Sequence, residues 1–352
     1  MKGLRKWLAT SLMFSVVTIL VLLIFTITPS QLSSLIQIHP AFLAAALIFQ
    51  FCSWLVWGAR MKVMSEAIGG AIPFKKSVGV VLSNLFAASI TPGHAGGEVT
   101  RIQLLRGFNL STGDASAVVL GERMLDALFL GIAAPAGFLL FTRTVQSSPG
   151  LIALFGIAAL IFGLLFFILL YVMAKPKKVK SVVRRIRWLF VKVRGADRAD
   201  MALQKALQEI DVFHNSSKLY LKDEKQSLVK GFLFTILFWV LQFSIASLIL
   251  VGLGSQPWIL ASFSAQTVLM MIAMIPLTPG NSGIAEASTA TIYSAFVGTS
   301  ILGIFILAWR MVTYYLNIVV GGVVSIRILR DKAVVEEAVA EGAPDRVIHD
   351  AQ

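Results

Sequence analysis

Charge is what this sequence has least of. Of its 352 residues, 14% are Asp, Glu, Lys or Arg, against about 25% in an average soluble domain. The shortage is concentrated in blocks. From Trp7 through Phe74 the charged residues are Arg60, Lys62 and Glu66, and there is none from Thr144 through Ala174 or from Gly231 through Ala285. Uncharged apolar runs of about 18 residues or more read as membrane helices, whereas a helix of a soluble core keeps a polar face. Cysteine is nearly missing too. The single Cys52 excludes an internal disulfide and a cysteine-based metal site. The sequence has no P-loop, no G-x-S-x-G and no Cys/His cluster, so neither ATP hydrolysis nor other catalysis has a basis in it. No cofactor is expected.

The charge that is present is mostly positive, +13 net. Its distribution argues against a nucleic-acid partner. Residues 175–230 hold 15 of the 31 Lys and Arg against 6 acids, and others sit at Lys2, Arg5 and Lys6 and at Arg327, Arg330 and Lys332. This is the positive-inside pattern of a membrane protein rather than a basic nucleic-acid face. It predicts an all-α, multi-pass protein of the cell membrane with cytoplasmic N- and C-termini. About six full spans are expected, near residues 8–27, 41–59, 115–141, 151–173, 231–252 and 301–324. Arg60 and Lys62 then fall in the cytoplasmic loop after the second span. Residues 175–230 form a basic cytoplasmic loop, and 327–352 a polar tail, flexible from 331.

Two apolar stretches do not fit simple spans. Ser77–Ile90 has 14 residues, about 21 Å of helix at 1.5 Å per residue, short of the roughly 30 Å hydrocarbon core. It ends at Thr91, Pro92 and Gly93. A second such stretch, 258–277, ends at Thr278, Pro279 and Gly280 and is long enough either to span or to re-enter. Both breaks read T-P-G-x-x-G, continuing through Gly96 and Gly97 to Glu98, and through Gly283 to Glu286. Each Thr is followed 32 residues later by an Arg in an apolar helix, Arg123 and Arg310. The charge-derived topology gives the two halves opposite orientations. The expected architecture is therefore two re-entrant helical hairpins, 77–100 on the cytoplasmic side and 258–297 on the external side. They belong to an N-terminal membrane half, 1–174, and a C-terminal half, 231–326, forming an inverted repeat. Paired interrupted helices in inverted halves point to a transport site near the midplane.

The stretch NLFAASITPGHAGGEVTRIQLL (Asn84 to Leu105), the run from Gly121 to Asp126 and the later PLTPGNSGIAE resemble the flippase-like membrane region of lysylphosphatidylglycerol synthases, in a stand-alone form. The resemblance covers about residues 1–330. It implies a polytopic fold with two re-entrant hairpins and a role in moving lipids between leaflets. Only 28 residues follow Val324, too few for the synthases' aminoacyl-transferring domain, so that transfer is not expected.

Charges inside hydrocarbon are expensive and are functional candidates. Glu122 and Asp126 lie on one helix face, and Arg123 and Asp126 can pair, as can Glu98 and Arg101. Arg310 is the one charge between Glu286 and Arg327, so its partner must come from another segment. Arg123 and Arg310 suit a phosphate clamp, since guanidinium meets phosphate bidentately; structural ion pairs with Asp126, Glu122 or Glu286 explain them slightly better. The break glycines permit turns and close helix approach, and their N–H groups could also bind an anion. His94 and Glu98 have metal-ligand spacing, but no third ligand accompanies them. The reading is a translocase for anionic or lipid-linked substrates, with membrane lipids as partners and room for a homo-oligomer. The alternatives are an ion-coupled transporter of a small solute, or a non-transporting membrane partner of a lipid-modifying or glycosyltransferase enzyme. A further expectation is that Arg123 and Arg310 flank one shared polar cavity.

Overall fold

Backbone rules mark out the helices. In the computed structural model, residues 38–91, 95–144, 149–185, 224–273, 281 and 283–340 are described, with scattered positions between 200 and 220. The span expected at 8–27 lies outside them. The helices are α1 (Pro40–Glu66), α2 (Phe74–Ile90), α3 (Ala95–Leu105), α4 (Thr112–Thr144), α5 (Pro149–Ala174) and α6 (Pro176–Arg185). They continue with α7 (Lys225–Gly252), α8 (Ile259–Ala273), α9 (Ile284–Tyr293), α10 (Thr299–Arg310) and α11 (Leu316–Ala340). A π-helical turn, Met311–Tyr315, joins the last two. Proline opens α1, where its missing N–H costs nothing. Thr91 ends α2 in an extended conformation, φ −114° and ψ 144°, as expected of a residue followed by proline.

Four stretches are long and apolar enough to cross a membrane: Pro40–Glu66, Thr112–Arg143, Lys225–Gly252 and Thr299–Arg330. α5 adds 26 residues without a charge. Its outward side chains are apolar, with Leu160 and Phe167 about 70% exposed, a surface suited to lipid chains and not to water. The protein is thus a multi-pass membrane protein, all-helical among the described residues.

The sequence places α1 to Ala59, but the helix continues to Glu66, so Arg60 is a helix residue and not a loop residue. Likewise α11 continues to Ala340, into the stretch expected as a flexible tail. The segment Ala333–Ala340 is rich in Ala and Glu, which favour helix. In the basic loop, α6 is helical and Lys180 pairs with Asp211. Tyr220 is buried and donates its hydroxyl to the Met64 carbonyl at 3.0 Å. Burial pushes its phenol well above the ordinary value.

Packing gathers around two cores. One, with Trp57, Met61, Val81, Leu105, Val118 and Val119, is built from α1 to α4. The other, with Ile245, Ile249, Ala265, Val268, Tyr293 and Phe305 from α7 to α10, also takes in Ala46 of α1, Phe141 of α4 and Phe155 of α5. α7 lies along α1, and α11 lies along α2, where Gly321 sits against the Leu82 carbonyl and Phe86. α2 packs on α3, and α8 on α9. The first of these helix pairs needs glycine. A Cβ on Gly97 would stand 2.6 Å from Asn84 Oδ1 and 2.9 Å from Ala88 Cβ, and one on Gly96 would stand 2.6 Å from Thr91 Cγ2.

Gly97→Val is therefore expected to force α2 and α3 apart and to destabilise the fold by about 1–3 kcal/mol, the usual range for overpacking. Gly303→Ala, with nothing within 4 Å of the added Cβ, is expected to leave stability unchanged or slightly raised. Melting of the detergent-solubilised protein checks both, and equal melting of the two variants would contradict the close-packed hairpin.

Candidate functional site

Six charged side chains from three helices close into a ring. Arg60 of α1 bonds Glu122 Oε1 at 3.0 Å, and Glu122 pairs in turn with Arg101 of α3. Arg101 meets Glu98 at 3.4 Å, and Glu98 accepts from Arg123 Nε at 2.8 Å. Arg123 reaches Asp126 at 3.3 Å, and Asp126 returns to Arg60 at 2.7 Å. Cation and carboxylate alternate around the whole circuit, three of each, so it carries no net charge. Thr235 accepts from Arg60 at 3.0 Å, and the Trp239 indole donates to Asp126 at 3.2 Å, both from α7. The guanidinium carbons of Arg60 and Arg101 lie 5.7 and 5.5 Å from the Trp57 ring centroid, within cation–π range.

The ring is buried on one side and open on the other. Arg60, Arg101 and Glu122 are at most 1% exposed, while the Arg123 side chain is 45% exposed. The i,i+3 pairs Glu98–Arg101 and Arg123–Asp126 form as their spacing suggests. Arg60 was not among the candidates, because a basic residue near a helix end reads as loop. A charge count could have found it: Glu98, Glu122 and Asp126 face only Arg101 and Arg123, so a third cation was owed.

The second half repeats one link of the ring. Glu286, in the first turn of α9, accepts from Arg310 Nε at 2.8 Å. In both halves, then, a carboxylate just after the T-P-G-x-x-G stretch holds the arginine 32 residues past its threonine. The break residues Pro92, Gly93, Thr278, Pro279 and Gly280, and His94, lie outside the described residues. Where the chain is described, its N–H groups serve the protein itself. Gly96 N–H donates to Thr91 Oγ1 at 3.0 Å, and Gly283 N–H donates to Glu286 Oε2 at 2.6 Å. Gly283 has φ +82°, a conformation glycine adopts without strain. These two N–H groups are occupied within the protein.

Beside Arg310 is a cavity of about 190 Å³. Among the described residues its polar lining includes Gln242, Gln266, Asn281, Arg310, Thr313 and Tyr314, and its apolar walls include Trp239 and Trp309. The π-helical turn supplies Thr313 and Tyr314; such turns recur at functional sites. Arg310 lies over the Tyr314 ring, 3.8 Å from its centroid, and the Tyr314 hydroxyl donates to the Ser89 carbonyl in α2 at 3.1 Å. The expectation of one cavity flanked by both arginines gives way here. Arg310 lines it, whereas Arg123 does not, being drawn into the ring by Glu98 and Asp126. The link between them is Trp239, whose ring borders the cavity while its N–H holds Asp126.

Breaking the ring at its buried side is expected to be severe. Arg60→Ala leaves Glu122 and Asp126 short of a counter-charge and should destabilise by about 3–5 kcal/mol. Arg123→Ala, at the half-exposed side, should lose about 1 kcal/mol or less. Unfolding in detergent measures both, and a larger loss from Arg123→Ala would reverse the assignment of buried and open sides.

The chain matches the family described as lysylphosphatidylglycerol synthase TM region over residues 11–321. A UPF0104 membrane protein of Archaeoglobus fulgidus is 34% identical over 307 residues, 86% of this chain and 91% of that protein. A UPF0104 membrane protein of Pyrococcus horikoshii is 22% identical over 331 residues, covering 92% and 97%. One from Methanothermobacter thermautotrophicus is 23% identical over 314 residues, covering 87% and 91%. With the match running through both T-P-G segments, the ring and Arg310, the chain belongs to the lysylphosphatidylglycerol synthase transmembrane-region family.

Proposed function

We propose that this protein is a flippase-like translocase that moves an anionic or lipid-linked substrate between the leaflets of the cell membrane. The observation that carries the reading is the cavity of about 190 Å³ at Arg310, set among membrane-length helices. A cation there is costly without a purpose. The matched Glu98–Arg123 and Glu286–Arg310 links support two structurally related halves. In the proposed arrangement the α2–α3 and α8–α9 hairpins re-enter the membrane from opposite faces as an inverted repeat, with both termini cytoplasmic. Helix α2 has 17 residues, about 26 Å, less than the hydrocarbon thickness.

In this mechanism Glu286 and Glu98 act as resident counter-ions. A lipid phosphate, offering paired oxygens to a guanidinium, competes with the carboxylate for its arginine. When the phosphate wins, the hairpin that carries the carboxylate is released from the helix that carries the arginine. Transport then couples substrate binding to hairpin movement.

Leaflet exchange of labelled anionic lipids in proteoliposomes tests this. Arg123→Lys and Arg310→Lys keep the charge but lose the bidentate fork, and each is expected to slow exchange by roughly tenfold or more, about one bidentate contact's worth, with melting nearly unchanged. Near-wild-type exchange by both variants would refute a headgroup role and leave the arginines structural. Orientation has its own check. In a Cys52→Ala background, a cysteine introduced at Val182 should resist membrane-impermeant reagents in intact cells, and external labelling there would overturn the proposed topology.

A further inference from the structure

We infer that α6 lies in the headgroup layer of the bilayer, with its valine face toward the acyl chains and its lysines and arginines on anionic lipid headgroups. The inference needs only that the chain spans a membrane, and it holds whether or not the chain moves lipids.

The argument starts where α5 ends. Its 26 charge-free residues make about 39 Å of helix, more than the roughly 30 Å hydrocarbon core, so its end reaches the headgroups. Tyr171, half exposed in the last turn, marks that level, where tyrosine is enriched. Lys175 alone separates α5 from α6. Its N–H donates to the Tyr171 carbonyl at 2.8 Å, and the Lys178 N–H donates to the Lys175 carbonyl at 3.0 Å. No slack chain lies between the two helices, so α6 begins at the membrane surface.

The sequence of α6 is PKKVKSVVRR, without an acid. At about 100° per residue, the positions of Pro176, Val179, Val182 and Val183 fall within roughly 120° of arc, and the five cations and Ser181 take the rest. Lys180, at one border of the cationic arc, pairs with Asp211. Lys177, Lys178, Arg184 and Arg185 are exposed. Val182 is 56% exposed, so the described residues leave the apolar side uncovered there. Charge that served only to fix orientation would need no such sorting. Sorting gives the helix a wet side and an oily side, which is what lying in an interface requires.

The partner follows from the two faces together. A nucleic acid or an acidic protein would meet the cations and leave valine in water. A neutral bilayer would accept the valines, but so few small side chains hold a helix weakly. An anionic leaflet takes both faces, and each cation near its surface adds to the attraction.

The test places a spin label at Val182 or Ser181 of the full chain, in a Cys52→Ala background, in nanodiscs of phosphatidylcholine with or without phosphatidylserine. Collision with oxygen reports acyl chains, and collision with a water-soluble nickel chelate reports water. With phosphatidylserine, the oxygen-to-nickel ratio at Val182 is expected to exceed that at Ser181 roughly fivefold or more, as for a helix seated in the interface. In phosphatidylcholine alone, or with Lys177, Lys178, Arg184 and Arg185 all changed to Gln, the excess should fall to about twofold or less, as expected on losing the charge attraction. The lipid comparison decides by itself if the Gln variant does not fold. Equal ratios at the two positions with phosphatidylserine overturn the inference. So does a Val182 label shielded from both reagents, which means that protein covers the valine face. An excess that ignores both the lipid charge and the Gln changes removes the anionic headgroups as partner. In intact cells, Ser181 reports sidedness without the shielding that headgroups give Val182.

Discussion

A charge taken into hydrocarbon must bring its neutraliser with it, and the N-terminal half of this protein is organised around that constraint. Arg60, Arg101 and Glu122 are almost fully enclosed, where each alone would be strongly disfavoured. The alternating circuit lets every carboxylate face two guanidinium groups. It also fixes relative positions: α1, α3 and α4 each contribute, so no one of them can slide without separating charges in a low dielectric. Apolar packing around Trp57, Met61 and Leu105 is non-directional and would tolerate several registers; the ring tolerates one.

The two halves use the same link differently. In the first, Glu98–Arg123 is one segment of a closed and mostly buried circuit. In the second, Glu286–Arg310 stands beside an open cavity and stacks on Tyr314. Contacts across the halves join the two regions. Trp239 spans from Asp126 to the cavity wall, and Tyr314 reaches the Ser89 carbonyl near the end of α2. The C-terminal cavity is therefore held in place partly by N-terminal elements, which is how a change at one hairpin could be felt at the other.

Much of this was legible in the sequence. Uncharged runs located the long helices, and the shared 32-residue spacing singled out Arg123 and Arg310 without naming Glu98 as the partner of Arg123. Glu98–Arg101 and Arg123–Asp126 followed from helix spacing. Less local features were not legible. Arg60 looks like a loop residue because charge marks helix ends statistically, and only its distant partners make it a core residue. Arg123 was expected at the cavity because repeat logic carries position but not context; Asp126 has no counterpart near Arg310 in the chain, and it helps draw Arg123 away. The hydrogen bonds among Gln50, Gln242 and Asn317 were invisible for a simpler reason: neutral polar residues in apolar helices carry no pattern until the helices are brought together.

The π-helical turn at Met311–Tyr315 holds one residue more than an α-turn would. Since an α-helix rotates about 100° per residue, everything after Tyr315 is set round the axis by about that angle relative to an unbroken helix. Asn317, which accepts from the Trp54 indole, and Gly321, seated against the Leu82 carbonyl of α2, both lie beyond it. The inserted residue thus works as a phase adjuster. It lets one continuous rod present Arg310 to the cavity on one bearing and its small-residue face to the first hairpin on another. Losing the extra residue would turn both downstream contacts away together.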